Sequence, residues 1–279
     1  MISRLTGALV RAFLVVVMIA TPSLILPGVT ADVAQVVTLV ALFAAALTFF
    51  EYASTYPGLV EFRDAPPFNR IRFGSLFVTV ILLSLMTAGT ISPSPISNMI
   101  ASVGSVVGKT IDFPYSPVRL VVLMLPPEAS VNHVHLVRDS AGLAYFISLF
   151  TLAYFIIMQR VRRWPMRNGN FNVWVNLPTF DPTAGGDVVE RLERDARFNI
   201  ALGFLLPFLT PAVIKSATSL FGTVSLDSPQ TLIWTVAAWA FLPASLFMRG
   251  IAMGRIAMLI AQKRKLTSKE EGNAGLLPV

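Results

Sequence analysis

Six apolar stretches alternate with charged or proline-rich segments along this chain, at 5–27, 33–50, 73–91, 141–158, 198–221 and 231–248. Each approaches the ~20 helical residues needed to cross a hydrocarbon core about 30 Å thick. The pattern predicts an all-α, polytopic integral membrane protein with about six transmembrane helices. Residues 1–265 form a single helical membrane domain in this reading, and 266–279 a flexible tail. The short turn after Pro27 pairs the first two spans as an antiparallel hairpin. A rival reading makes the first span a signal peptide, with Arg4 and Arg11 before the apolar run and Val29-Thr30-Ala31 as the cleavage site.

Composition agrees with the pattern. Of the 279 residues 54% are hydrophobic and 13% charged, which excludes a soluble globule of ordinary make-up. The chain has no cysteine and two histidines, so a disulfide framework, a thiolate metal site and a cysteine nucleophile are excluded. Charge adds orientation. Of 22 Lys and Arg, 18 fall at the amino end, in 51–72, in 160–197 and from 249 onward, which makes both termini and those two loops cytoplasmic. The outer loop, 92–140, carries only Lys109, Arg119 and Arg138. The expected location is a bacterial plasma (inner) membrane. The charges cluster at segment ends, so their distribution matters more than the net +7, and no nucleic-acid partner is expected.

The connections carry several short signals. Ser92-Pro93-Ser94-Pro95 interrupts the helix, and the apolar pieces 96–107 and 118–125 are too short to cross. They are re-entrant, interfacial, or caps on the outer face, the last being favoured. Gly104 and Gly108-Lys109-Thr110 miss the phosphate-loop spacing by one residue. His133 and His135, on an extended segment, would point to one side as half a metal site with Glu128 or Asp139, but four convergent ligands are not evident. No metal and no cofactor are expected. Arg160, Arg162, Arg163 and Trp164 read as an anchor ending the fourth span. Residues 171–177, FNVWVNL, suit a short strand or extended segment. Asp187 with Glu190 resembles a capping box opening an amphipathic helix stitched by Glu190–Arg194 and Glu193–Arg197. Gly250 and Gly254 have the spacing of a helix-pairing motif.

Two features bear on function. The loop 51–72 holds six charges and three prolines between apolar spans, together with Tyr52, Tyr56, Phe62 and Phe68, the rigid rings that interfaces favour. Glu61, Arg63, Asp64, Phe68, Arg70 and Arg72 are its candidate partner-binding residues, set against a loop that closes on its own ion pairs. In the fifth span Asn199, Gly203, Pro207, Pro211, Lys215 and Ser219 recur every four residues. Prolines free backbone carbonyls, so Asn199, Pro207, Pro211 and Lys215 are candidate transport-path residues, against a Lys215 that snorkels to the outer interface. No G-x-S-x-G and no H-E-x-x-H is present, and no catalytic residue is assigned. The expectation is a non-catalytic membrane scaffold, assembly factor or accessory subunit binding a partner through cytoplasmic loops. The alternative is a small transporter or permease subunit using the fifth span. Its partners are the lipid bilayer and either another membrane protein or a second copy of the chain.

Overall fold

The computed structural model describes residues 2–161, 164–165, 171–181, 183–221 and 226–274. Its elements are α1 (Ile2–Ile25), α2 (Ala31–Ala53), α3 (Phe68–Gly89), α4 (Pro95–Ile111), α5 (Pro117–Val122), α6 (Val131–Val161), α7 (Val173–Asn176), α8 (Val188–Phe221) and α9 (Pro229–Ala274). The described residues contain no strand. Six of the helices, α1, α2, α3, α6, α8 and α9, are long and apolar enough to cross a membrane, at the six places the hydropathy pattern marks.

Local chemistry sets the helix starts. The Thr30 hydroxyl accepts from the Val33 N–H to open α2. Ser94 and Ser97 form a reciprocal capping box with Pro95 just inside α4, and Ser116 caps α5 ahead of Pro117. Several helices outrun their apolar stretch. α3 begins at Phe68, so Arg70 and Arg72 lie on its first two turns and not in a loop. α6 begins at Val131, and α9 carries on through Ala274, beyond the start of the expected flexible tail.

Three expectations are corrected. His133 and His135 sit on α6, where two residues turn the rings to different sides, and His133 faces Asp227 at 3.7 Å. FNVWVNL contains the single helical turn α7, because the Asn176 amide donates back to the Asn172 carbonyl and its backbone N–H does the same. Arg194 lies 3.8 Å from Asp195, and neither Glu190–Arg194 nor Glu193–Arg197 reaches ion-pair distance among the described residues. Asp187 does open α8, its carboxylate accepting from the Val189 N–H. That bond and the Arg264 guanidinium hold the Asp187 carboxyl below the ordinary carboxylate range. Arg162 and Arg163 of the expected anchor lie outside the described residues.

The helices pack as a bundle with two apolar cores. The first gathers Val80 and Leu83 of α3, Val137 and Ala141 of α6, and Ile233 and Val236 of α9. α4 and α5 lie over this end, α4 against α3 and α6, and α5 against α6 and α8. Gly108 and Gly142 make the α4–α6 contact so close that a Cβ on Gly142 would stand 2.5 Å from the Gly108 Cα. The outward face of α4, with Ile96, Met99, Val103 and Val106, stays apolar and exposed. α8 and α9 form the most extensive helix pair, with Gly203 against the Pro243 carbonyl and Gly250 against the Ala196 carbonyl, each 2.7 Å from where a Cβ would sit. Gly250 of the pairing motif thus meets a helix of its own chain. The second core joins Phe62, Phe68, Phe155, Trp164, Leu192, Met248 and Met253 at the arginine-rich end. α2 is the exception. Among the helices it packs on α1 alone, and only 6% of its most apolar window is buried within the protein.

Candidate functional site

The site is built where the segment after α2 returns to α3. Glu51, at the end of α2, accepts backbone N–H bonds from Gly58, Leu59 and Val60 at 2.9–3.1 Å, which folds the chain back on itself. Arg63 donates to the carbonyls of Ser54 (2.8 Å), Glu51 and Thr55 (both 3.2 Å), capping the carbonyl end of α2, and pairs with Asp64 at 3.1 Å. Arg4 of α1 donates to the Ser54 carbonyl from the other side. Phe62 adopts a left-handed φ of 52°, rare for a bulky residue. It is held there by its N–H on the Asn176 carbonyl (2.7 Å) and by rings on two sides, Phe68 at 4.4 Å and Trp164 at 5.6 Å.

The two loops at this end therefore lock together. The Asn176 side chain accepts from the Asp64 N–H at 3.0 Å, and the Trp164 indole donates to the Ala65 carbonyl at 3.0 Å. Glu61 takes two bonds from Arg249 of α9, at 2.6 and 2.8 Å, and one from the Thr179 hydroxyl at 2.7 Å. That fork is a charge-assisted, bidentate pair, the strongest kind of side-chain contact available here.

Above this floor is a cavity of about 630 Å³ between α1, α2, α3 and α9. Helical spacing aims each wall: Arg11, Leu14 and Val15 from α1; Thr48 and Tyr52 from α2; Asn69, Arg72, Phe73 and Leu76 from α3; Phe241, Ser245 and Arg249 from α9. The loop adds Glu61 and Arg63, and Arg70 stands exposed at the rim. Arg11 lies over the Tyr52 ring at 4.6 Å and donates to the Gly7 carbonyl. Arg72 lies over Phe68 at 5.4 Å and Phe241 at 5.9 Å, and its Nη1 reaches Asn69 at 3.4 Å. Its Nε is buried and has no hydrogen-bond partner.

The charges do not balance. Five arginines line the cavity with one carboxylate, Glu61, which is spent on Arg249, while Asp64 outside it is spent on Arg63. Arg11, Arg70 and Arg72 have no carboxylate partner among the described residues. Arg11 and Arg72 are half-buried, and cations drawn out of water without a counter-charge are costly, so the arrangement fits an anion. It does not fit a metal cation, and no group of three His, Cys, Asp or Glu among the described residues is placed to hold one.

The residues singled out from sequence divide accordingly. Phe68 is fully buried and Arg63 is consumed by backbone carbonyls, so neither is displayed to a partner. Asp64 is exposed, Glu61 bridges to α9, and Arg70 and Arg72 face the cavity. In α8 the stripe positions Gly203 and Pro207 lie against α9. Asn199 is buried and donates to the Asp195 carbonyl, and the Pro207 carbonyl accepts from the Trp239 indole at 3.1 Å. That carbonyl is the one Pro211 leaves without an amide donor, so a side chain of α9 occupies it. Lys215 donates to the Leu123 carbonyl at 2.7 Å, tying α8 to the end of α5. Arg11, Tyr52 and Arg249 are site residues that sequence reasoning did not assign to it. For the two arginines the signal was an apolar residue three to four positions away on one face, Leu14 and Val15 for Arg11 and Leu246 for Arg249.

The fold and this site define a polytopic helical membrane protein whose helix ends enclose an arginine-rich cavity. Comparison of the chain with protein-family models, with curated proteins and with solved structures returns no match.

Proposed function

We propose that this is a non-catalytic membrane protein that binds an anionic ligand in the arginine-lined cavity, with that end of the bundle facing the cytoplasm as the positive-inside rule expects. The observation that carries the reading is Arg72, a cavity-lining cation against two aromatic rings with no carboxylate at ion-pair distance among the described residues. A cation drawn out of water without a counter-charge costs stability, and an anion in the cavity would offset that cost. The cavity volume is in the range of small-ligand sites. Docking of a protein partner on the loops finds less support, since Phe62, Phe68 and Trp164 are committed to the interior.

The test is thermal unfolding of the detergent-purified protein with inorganic pyrophosphate against chloride at matched ionic strength. Pyrophosphate at a hundred times its dissociation constant is expected to stabilise the protein by about 2.7 kcal/mol. Arg72→Gln should lose that stabilisation. Equal stabilisation of both proteins, or none in either, removes the reading.

A further inference from the structure

We infer that the ligand of this cavity is a phosphate-bearing lipid, which enters sideways from the bilayer past α2 and keeps its headgroup among Arg11, Arg70 and Arg72. The inference rests on the anion-binding reading and specifies its ligand class. Three observations carry it.

The first is a gradient of polarity that runs the same way on three walls. On α1 the lining passes from Arg11 to Leu14 and Val15, on α3 from Arg72 to Leu76, and on α9 from Arg249 back to Phe241. In each helix the cation lies toward the arginine-rich end and the apolar residue toward the middle of the span. The separation is four residues on α1 and α3, about 6 Å at 1.5 Å per residue, and eight on α9, about 12 Å. A small soluble anion has no use for the apolar half. An amphiphile with a charged head and an acyl chain fits both halves in the orientation a lipid already has in that leaflet.

The second is the open flank. α2 supplies Thr48 and Tyr52 to the cavity wall, yet it packs on α1 alone and forms no seam with α3 or α9. The cavity is thus unsealed by helix packing on that flank. The loop closes the other approach, since Glu51 and Arg63 fold it across the end of α2 and Leu59, Val60 and Phe62 floor the cavity. A cavity of about 630 Å³ takes a headgroup and the first part of a chain, and the open flank lets the remainder stay in the bilayer.

The third is charge. The three arginines left without carboxylate partners match a terminal phosphate group, which carries between one and two negative charges near neutral pH. Arginine forks suit its oxygens geometrically as well as electrically.

The experiment uses the full chain in nanodiscs of phosphatidylcholine, with trace fluorescent phosphatidic acid as the lipid probe and glycerol 3-phosphate as the same anion without chains. The protein is expected to retain the labelled lipid. Arg72→Gln and Arg70→Gln should each weaken retention about ten-fold, the loss of one charge-assisted contact. Arg70 is exposed, so its variant keeps the test valid if Arg72→Gln misfolds. Glycerol 3-phosphate should bind at least about ten-fold more weakly than the lipid, for want of apolar contact. Equal or tighter binding of glycerol 3-phosphate, or no lipid retention while pyrophosphate still stabilises through Arg72, overturns the lipid inference and leaves the anion reading standing. Failure of lipid, glycerol 3-phosphate and pyrophosphate alike overturns both. Retention that is indifferent to Arg70 and Arg72 assigns the lipid to surface charge and overturns the inference.

Discussion

Glu61 is the residue on which the cavity's charge turns. Its carboxylate holds Arg249 in a two-bond fork and takes the Thr179 hydroxyl, so it joins three parts of the chain while cancelling one cation. Glu61→Gln retains a carbonyl oxygen but loses the charge, and about 1–3 kcal/mol of stability should go with it. The same change raises the uncompensated positive charge in the cavity by one. Titration with pyrophosphate should therefore show several-fold tighter binding alongside a lower unfolding midpoint. Weaker binding would mean that Glu61 serves the ligand by fixing Arg249, contrary to the charge count. Phe68 shows the opposite case. The sequence displays it in a charged loop, but it has no exposed surface, because Pro66 and Pro67 end the loop one residue earlier and α3 turns it inward against Phe62 and Phe155.

At the scale of elements, the α8–α9 pair tests how the bundle is held. A Cβ on Gly203 would stand 2.7 Å from the Pro243 carbonyl oxygen and 2.8 Å from the Phe247 nitrogen, both backbone atoms that cannot swing away. Gly203→Val should separate the two helices and sharply reduce the yield of monodisperse protein in mild detergent. Gly74→Ala on α3, where a Cβ meets nothing within 4 Å, should leave yield and unfolding midpoint unchanged or slightly improved. If both variants behave alike, close packing at Gly203 is not what holds the pair. The four-residue stripe on α8 was legible as a stripe. Its direction was not, because periodicity marks a face without naming what that face meets, and Trp239 reaches the Pro207 carbonyl from 32 positions away. Helix ends were legible within limits set by the same physics. Apolar stretches report contact with lipid, while hydrogen bonding carries α3, α6 and α9 beyond it.

For the whole molecule, the orientation is open to a direct measurement, since the chain has no cysteine of its own. A single cysteine at Glu128, exposed between α5 and α6, should react in intact cells with a membrane-impermeant maleimide. One at Thr267, exposed near the end of α9, should react only after permeabilisation. The reverse pattern would invert the topology and place the cavity outside. The number of spans, their order and the asymmetry of positive charge were determined by the sequence by itself. Each is a local property, since twenty apolar residues in a row or a cluster of arginines beside them has its effect wherever the rest of the chain lies. The cavity was decided by tertiary structure alone. Arg11, Arg72 and Arg249 come from three helices far apart in the chain, and each read singly is an ordinary interfacial arginine. Only the packing of α1, α3 and α9 around one space, with α2 lining it while packing on α1 alone, turns them into a site, because that convergence depends on long-range contacts that no local pattern encodes.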